Sequence, residues 1–182
     1  MAAILSRLGA EIINADDLAR EAVRPHGDGW KEIVDTFGPE ILLEDKAIDR
    51  RKLRKIVFDD PEARKRLEAI IHPRVRALAE ERIRELALAG CSVVVYEVPL
   101  LFEGQLHHWL RPVILVACDQ KTQKKRLRER DRLTDSQARQ HLDAQMSLEE
   151  KRKLADYVIE NNGAFEELER QVRDVLERIQ AT

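Results

Sequence analysis

Apolar residues along the chain follow two spacings, and each predicts its own element. Val93, Val94 and Val95 run without a polar interruption. A strand that is apolar on both faces is covered on both faces, so this stretch predicts a parallel strand inside an α/β sheet. Gly90 ends the helix before it, because glycine tolerates the left-handed cap position. Pro99 stops the ladder for want of an N–H. Glu97 then falls at the strand's carboxyl end, where open α/β sheets bind their ligands. The same pattern also fits a core strand followed by an arbitrary turn. Shorter apolar runs predict strands over residues 11–14, 113–117 and 157–159.

The helical spacing fills the rest. Residues 1–8 predict a helix end capped by Gly9, and residues 18–23, 30–37 and 49–58 predict three further helices. Asp60-Pro61 opens another, with Asp at the cap and Pro at the first helical position, where its missing N–H costs nothing. Leu67, Ile70 and Ile71 form its inner face. His72-Pro73 is expected to end it, since the residue before proline avoids the helical region. A separate helix then runs over residues 74–89 on Val75, Leu78, Ala79, Ile83 and Leu86. Thr134-x-x-Gln137 and Ser147-x-x-Glu150 are capping boxes. Phe165, Leu168, Val172, Val175 and Ile179 make the apolar stripe of a C-terminal helix. The interval between the first two strands is helical throughout and longer than a crossover needs, so it predicts a helical insertion facing substrate.

Composition narrows the class. At 182 residues the chain suits one α/β domain with a modest insertion. Lys and Arg number 32 against 34 Asp and Glu, a net charge of -2 that gives no general attraction to nucleic acid or anionic membrane. No apolar run is long enough to span a bilayer. Cys91 and Cys118 form neither a disulfide framework nor a zinc pattern, so a reducing, cytoplasmic setting is expected.

Candidate chemistry sits after the strands. Asn14-Ala15-Asp16-Asp17 follows the first. Asp16 or Asp17 is expected to cap the next helix, and either also suits a general base or a metal-associated carboxylate. After the third strand, Asp119 and Thr122 open a helix bearing Lys121, Lys124, Lys125, Arg126, Arg128, Arg130 and Arg132. Six of these seven cations lie within nine positions, which repels rather than stabilises. A solvated face and phosphate groups to be neutralised both account for them; the position after a strand end favours phosphate. A lone His141 reads as surface or packing.

In this order and spacing the segments resemble dephospho-coenzyme A kinases, of the P-loop nucleoside-monophosphate-kinase-like group. The matching residues are Asn14-Ala15-Asp16-Asp17-Leu18-Ala19-Arg20, Asp49-Arg50-Arg51-x-Leu53, Ile56-Val57-Phe58, His72-Pro73-x-Val75-Arg76, Val98-Pro99-Leu100-Leu101-Phe102-Glu103, Arg126-Leu127-x-x-Arg130, Ala144-Gln145-Met146 and Asn161-x-Gly163. The resemblance implies a three-layer parallel α/β sheet of P-loop NTPase type, with a helical CoA-binding insertion and a helical lid. Residues 1–20 and 91–182 would form the kinase core, with the lid at about 121–150, and residues 21–90 the insertion. It implies transfer of the ATP γ-phosphate to the ribose 3′-hydroxyl of dephospho-CoA with Mg²⁺, the last step of coenzyme A biosynthesis. By the same resemblance Asp16 orients or deprotonates the hydroxyl, and Arg126 and Arg130 neutralise phosphate oxygens as the lid closes. Arg20, His72 and Arg76 hold the acceptor, with Pro73, Pro99 and Leu100 also on the substrate side. Asn161 and Gly163 border the adenine of ATP. Glu97 stands near the metal, where the family usually has Asp.

The departures are specific. The family opens with a strand and Gly-x-x-x-x-Gly-Lys-[Ser/Thr], whose N–H groups and lysine cradle phosphates; no such motif occurs in these 182 residues. Met1 falls inside the helix that would follow that loop. The expectation is therefore an N-terminally truncated member lacking its first, central strand, which transfers phosphate negligibly as written. A downstream start site and a non-catalytic CoA- or nucleotide-binding remnant, or partner-dependent fragment, both fit. Smaller departures are Asn14 for the first Asp, Arg132 where Gly is common and His141 where Arg is common.

Overall fold

The strands form as two separate parallel pairs. A computed structural model describes residues 1–181. In chain order the elements are α1 (Ala2–Arg7), β1 (Glu11–Asn14), α2 (Ala15–Ala22), α3 (Asp28–Phe37), α4 (Arg50–Asp59) and α5 (Pro61–Leu88). Then come β2 (Val94–Glu97), β3 (Ile114–Ala117), α6 (Gln120–Asp131), α7 (Asp135–Asp143), α8 (Leu148–Leu154), β4 (Tyr157–Glu160) and α9 (Phe165–Gln180). β1 pairs with β2, with Asn14 opposite Glu97. β3 pairs with β4, with Ala117 opposite Glu160. One compact unit is Glu11–Val98; the other joins Met1–Ala10 to the chain from Pro99 onward.

In the Glu11–Val98 unit the core lies among helices. Ile33 and Phe37 of α3, Leu53 of α4, and Ala63 and Ile70 of α5 are buried together with Ile41. α5 packs against α2, α3 and α4 and also against both strands. Its cap is Asp60, whose carboxylate accepts the Glu62 and Ala63 N–H groups at 2.9 and 3.0 Å. The expected break at His72-Pro73 does not occur, and α5 is one helix of 28 residues with Pro73 inside it. Proline removes only the hydrogen bond to the carbonyl four residues back. Buried Ile70 and Ala79 anchor the helix on either side of it. Arg74 adds a bond to the Ile70 carbonyl at 2.7 Å and an ion pair to Glu32 of α3 at 2.6 Å. Tertiary packing thus overrides the local preference.

Two further expectations change. β2 is not covered on both faces: Val94, Val95 and Tyr96 are half-buried and Glu97 is exposed. Its one strand neighbour among the described residues is β1. The cap of α2 is neither Asp16 nor Asp17 but Asn14, whose Oδ1 accepts both of their N–H groups at 2.8 and 3.3 Å.

The second unit has a core of its own. Phe102, Val113, Leu115 and Ala117 are buried, with Met146, Leu148, Leu154 and Val158 packed on them. α9 buries Leu168, Val172, Val175 and Leu176. Phe165 instead stays exposed, under the guanidinium of Arg7, which lies 5.4 Å from its ring centre. Both capping boxes form, at Thr134–Gln137 and Ser147–Glu150.

α6 ends on Arg132 in the left-handed region, at φ 54°. A residue with a Cβ is strained there by about 1–2 kcal/mol, whereas glycine is not. R132G should hold or raise stability by up to about 1 kcal/mol, and R132V should lower it by about 1–2 kcal/mol. Chemical denaturation of the two variants tests this; equal midpoints would contradict it.

Candidate active site

Each unit carries one strand-end constellation. In Glu11–Val98, the parallel register brings the ends of β1 and β2 level. Asn14 Nδ2 donates to Glu97 Oε2 at 2.9 Å, so two candidate positions far apart in sequence meet here. The exposed Asp16 sits in the first turn of α2, where a carboxylate is favoured by the helix dipole. Its side chain carries no hydrogen bond among the described residues, which leaves it available to a ligand. Arg20, one turn on, pairs with Asp17 rather than Asp16. His72, Pro73 and Arg76 are exposed on α5, which α2 packs against. His72 and Arg76 are four residues apart and so share a helix face. Arg76 donates to Glu80 at 2.9 Å.

No group of three or more His, Cys, Asp or Glu is arranged to hold a metal ion among the described residues. Glu97 offers a carboxylate oxygen that Asn14 does not use. Oxygen donors suit Mg²⁺, which usually takes one or two carboxylates and completes its shell with water and phosphate. The donor set therefore fits a metal brought in with a nucleotide, not a cage built by protein alone.

In the other unit, the turn after β4 is tied down atom by atom. The Asn161 N–H donates to the Ala117 carbonyl at 2.7 Å. Arg126 Nη1 donates to the Asn161 carbonyl at 2.9 Å. The Asp119 N–H donates to Asn162 Oδ1 at 2.8 Å, tying the β3 end to the β4 end. Gln171 of α9 takes both backbone groups of Glu160, accepting its N–H at 2.9 Å and donating to its carbonyl at 3.1 Å, as a neighbouring strand would. Gly163 borders open space: a Cβ there would meet nothing within 4 Å.

Arg126 and Arg130 line one cavity of about 250 Å³ with Gln123, Leu127, Leu142 and Gln145. It is smaller than the roughly 300–1,000 Å³ of whole small-molecule sites and suits a few polar groups. Most α6 cations are already compensated. Lys124 and Arg128 pair with Asp135, Lys125 with Glu129, and Arg130 with Asp131. The Arg130 guanidinium holds the Asp131 carboxyl below its ordinary range, and nearby His141 adds to this. Arg126 is held by a neutral carbonyl and keeps its charge free of a carboxylate, whereas Arg130 is paired with Asp131. The family-motif residues Pro99 and Leu100 are exposed in the turn after β2.

Sequence reasoning missed two residues that shape this unit. Glu103 Oε1 accepts the Met146 N–H at 3.0 Å and pairs with Lys151 Nζ at 2.8 Å, with both side chains largely buried. Its Oε2 is buried with no partner among the described residues. The pair fixes the link between α7 and α8 to the loop after β2. Lys151 also lines a groove of about 470 Å³ beside the arginine cavity. The signal for Glu103 was its place in the Val98–Glu103 motif. Gln171 carried a plainer one, a polar residue three positions after Leu168 on a buried helix face.

The comparisons agree with one another. The family described as dephospho-CoA kinase matches residues 1–167. A dephospho-CoA kinase of Geobacter sulfurreducens is 49% identical over 172 residues, covering 94% of this chain and 87% of the relative. One from Oryza sativa is 39% identical, covering 94% of this chain and 74% of the relative. Among solved structures, a Thermus thermophilus protein matches with a TM-score of 0.83 at 37% identity, over 97% of this chain and 88% of its own. A dephospho-CoA kinase from Campylobacter jejuni matches at 0.74 and 31%, over 99% and 90%.

Burial raises the Glu103 carboxyl, but Lys151 and backbone N–H groups pull it further the other way, and the net shift is below the ordinary 4.5. A carboxyl lowered in the folded state contributes stability above its unfolded value, and that contribution is lost as pH falls through the folded value. E103Q should therefore be less stable at neutral pH by roughly 1–3 kcal/mol. The gap should close below about pH 4.5. Urea denaturation of both proteins from pH 7 to pH 3 checks this; a constant gap would contradict it.

Proposed function

The chain belongs to the dephospho-CoA kinase family, and on that basis we propose that its residues serve transfer of the ATP γ-phosphate to the ribose 3′-hydroxyl of dephospho-CoA. The observation that carries the reading is the Asn14–Glu97 bond with Asp16 beside it: an unpartnered carboxylate and a held one at two adjacent parallel strand ends. Asp16 accepts the hydroxyl proton as the oxygen–phosphorus bond forms and the bond from γ-phosphorus to the bridging oxygen breaks, releasing ADP. Arg20, His72 and Arg76, with Pro73, Pro99 and Leu100, hold the acceptor. Arg126 and Arg130 neutralise oxygens of the transferred group. Asn161 and Gly163 border the adenine. Glu97 would hold Mg²⁺, which when bound spreads the charge developing on the phosphates.

The division into a kinase core (1–20 and 91–182), a helical acceptor insertion (21–90) and a lid at about 121–150 is part of this proposal. So is a small-molecule acceptor, with no nucleic-acid or membrane partner. No described helix is long and apolar enough to cross a membrane. The residues above are weighted toward acceptor and charge neutralisation; the 182 residues hold no Gly-x-x-x-x-Gly-Lys-[Ser/Thr] to cradle the donor. That favours, as a second reading, a polypeptide of these residues that binds CoA-type nucleotides without catalysis of its own.

Incubated with ATP, Mg²⁺ and dephospho-CoA, a polypeptide of these 182 residues alone should form negligible CoA. A chain with a strand and phosphate loop placed ahead of residue 1 should form it readily. In that longer chain D16N should lower kcat by about 10²–10⁴-fold, the usual share of a general base. Full turnover without the loop would refute the first expectation, and an undiminished D16N rate would remove Asp16 from the chemistry.

A further inference from the structure

The strongest unexplained charge in the molecule is not on α6 but on α4. Arg50, Arg51, Arg54 and Lys55 fall within six positions, all exposed. None makes a side-chain hydrogen bond or ion pair among the described residues. Most other exposed cations do, including Lys31, Lys65, Arg76 and Arg82. The spacing i, i+1, i+4, i+5 gathers the four on one side of the helix, where like charges repel. Leu53 and Val57 turn a different side to the core.

Two more features make the placement unfavourable to α4 itself. Arg50 and Arg51 occupy the first turn, which holds no acidic residue, and the positive end of the helix dipole disfavours cations there. Asp49, next to Arg50 in the chain, is committed as the cap, with Oδ1 accepting the Arg51 and Lys52 N–H groups at 2.9 and 3.1 Å. Phe58 continues the line of Arg50 and Arg54 at the next i+4 step and is 73% exposed. Arg64 reaches the Val57 and Phe58 carbonyls at 3.3 Å each, fixing the end of the helix and leaving the Phe58 ring outward. A face that weakens its own helix, with an apolar ring at its edge, suits an anionic ligand that supplies the missing charge.

We infer that the Arg50–Arg51–Arg54–Lys55 face of α4 binds the 5′-diphosphate of dephospho-CoA, with Phe58 as an apolar shelf for the group joined to it. The inference rests on the proposed function and goes further, by assigning the diphosphate to particular residues of α4 within the acceptor insertion. α4 packs directly on α5, which carries His72 and Arg76, so the face belongs to the same unit as the acceptor residues. Guanidinium groups fit the geometry, since they bind phosphate oxygens in bidentate pairs. An acceptor carrying two phosphate charges matches four unmatched cations better than a neutral surface would.

The test is calorimetric titration of dephospho-CoA into the intact chain, its R50Q/R54Q variant and the single variants R51Q and R54Q. R173Q, at an exposed position on α9, controls for general charge. Circular dichroism and thermal midpoints check folding, and the single variants answer the question if the double variant does not fold. The double variant should weaken dephospho-CoA binding by at least about tenfold. Each single variant should weaken it less, and R173Q should leave it unchanged. Inorganic pyrophosphate should compete with dephospho-CoA on the intact chain, and ADP affinity should not move in R50Q/R54Q. Unchanged dephospho-CoA affinity in the folded variants would overturn the inference while leaving the proposed function standing. No binding by the intact chain would overturn the function and this inference with it. Loss of binding to phosphatidylglycerol vesicles, with dephospho-CoA affinity unchanged, would assign the face to a membrane and overturn it too.

Discussion

One side-chain amide sets the strand ends of the Glu11–Val98 unit. Asn14 ends β1 and does two things at once: its oxygen caps α2, and its NH₂ holds Glu97 at the end of β2. The cap fixes where Asp16 stands, and the donated bond fixes one oxygen of Glu97. An aspartate in its place would cap as well but would set a second negative charge against Glu97. Asparagine at 14 and glutamate at 97 therefore make sense as a pair. The longer glutamate spans the distance between strands, and the amide gives it something to bond.

The other unit achieves order differently. Its site turn is held through backbone groups, by the carbonyl of Ala117, the side chain of Asn162 and the amide of Gln171 standing in for a strand. Arg126 belongs to that same network. Its guanidinium is placed without being neutralised, which is the state a phosphate-binding arginine needs. The contrast between α4 and α6 follows the same logic. Both are dense in cations, yet α6 has surrounded its charges with Asp131, Asp135 and Glu129, and α4 has not. Density alone does not separate the two helices; local carboxylate partners do.

Much of this was legible in the sequence, and the failures have physical causes. All four strands, the Asp60-Pro61 start, both capping boxes and the buried stripe of α9 follow from local rules that no distant contact opposes. Pro73 misled because the rule for proline is local and α5 is held by three other helices. The valines of β2 misled because burial of a strand depends on its neighbours, which a single segment does not encode. Asn14 was passed over as a cap because two aspartates stood beside it, and only the strand register shows that the asparagine comes first. The family motifs supplied the candidate residues, but neither the Arg130–Asp131 pair nor the buried Glu103–Lys151 pair has a motif; both depend on chain segments far apart in sequence or on rotamers.

The proposed function divides the labour, with the acceptor contacts, α4 cations included, in Glu11–Val98 and the arginines facing the transferred phosphate, Arg126 and Arg130, in the other unit. Amide hydrogen exchange with and without dephospho-CoA tests it most directly. The account predicts added protection in the first turns of α2 and around residues 72–76 of α5, with none at residues 161–163. Protection confined to residues 119–163 on adding dephospho-CoA alone would contradict it.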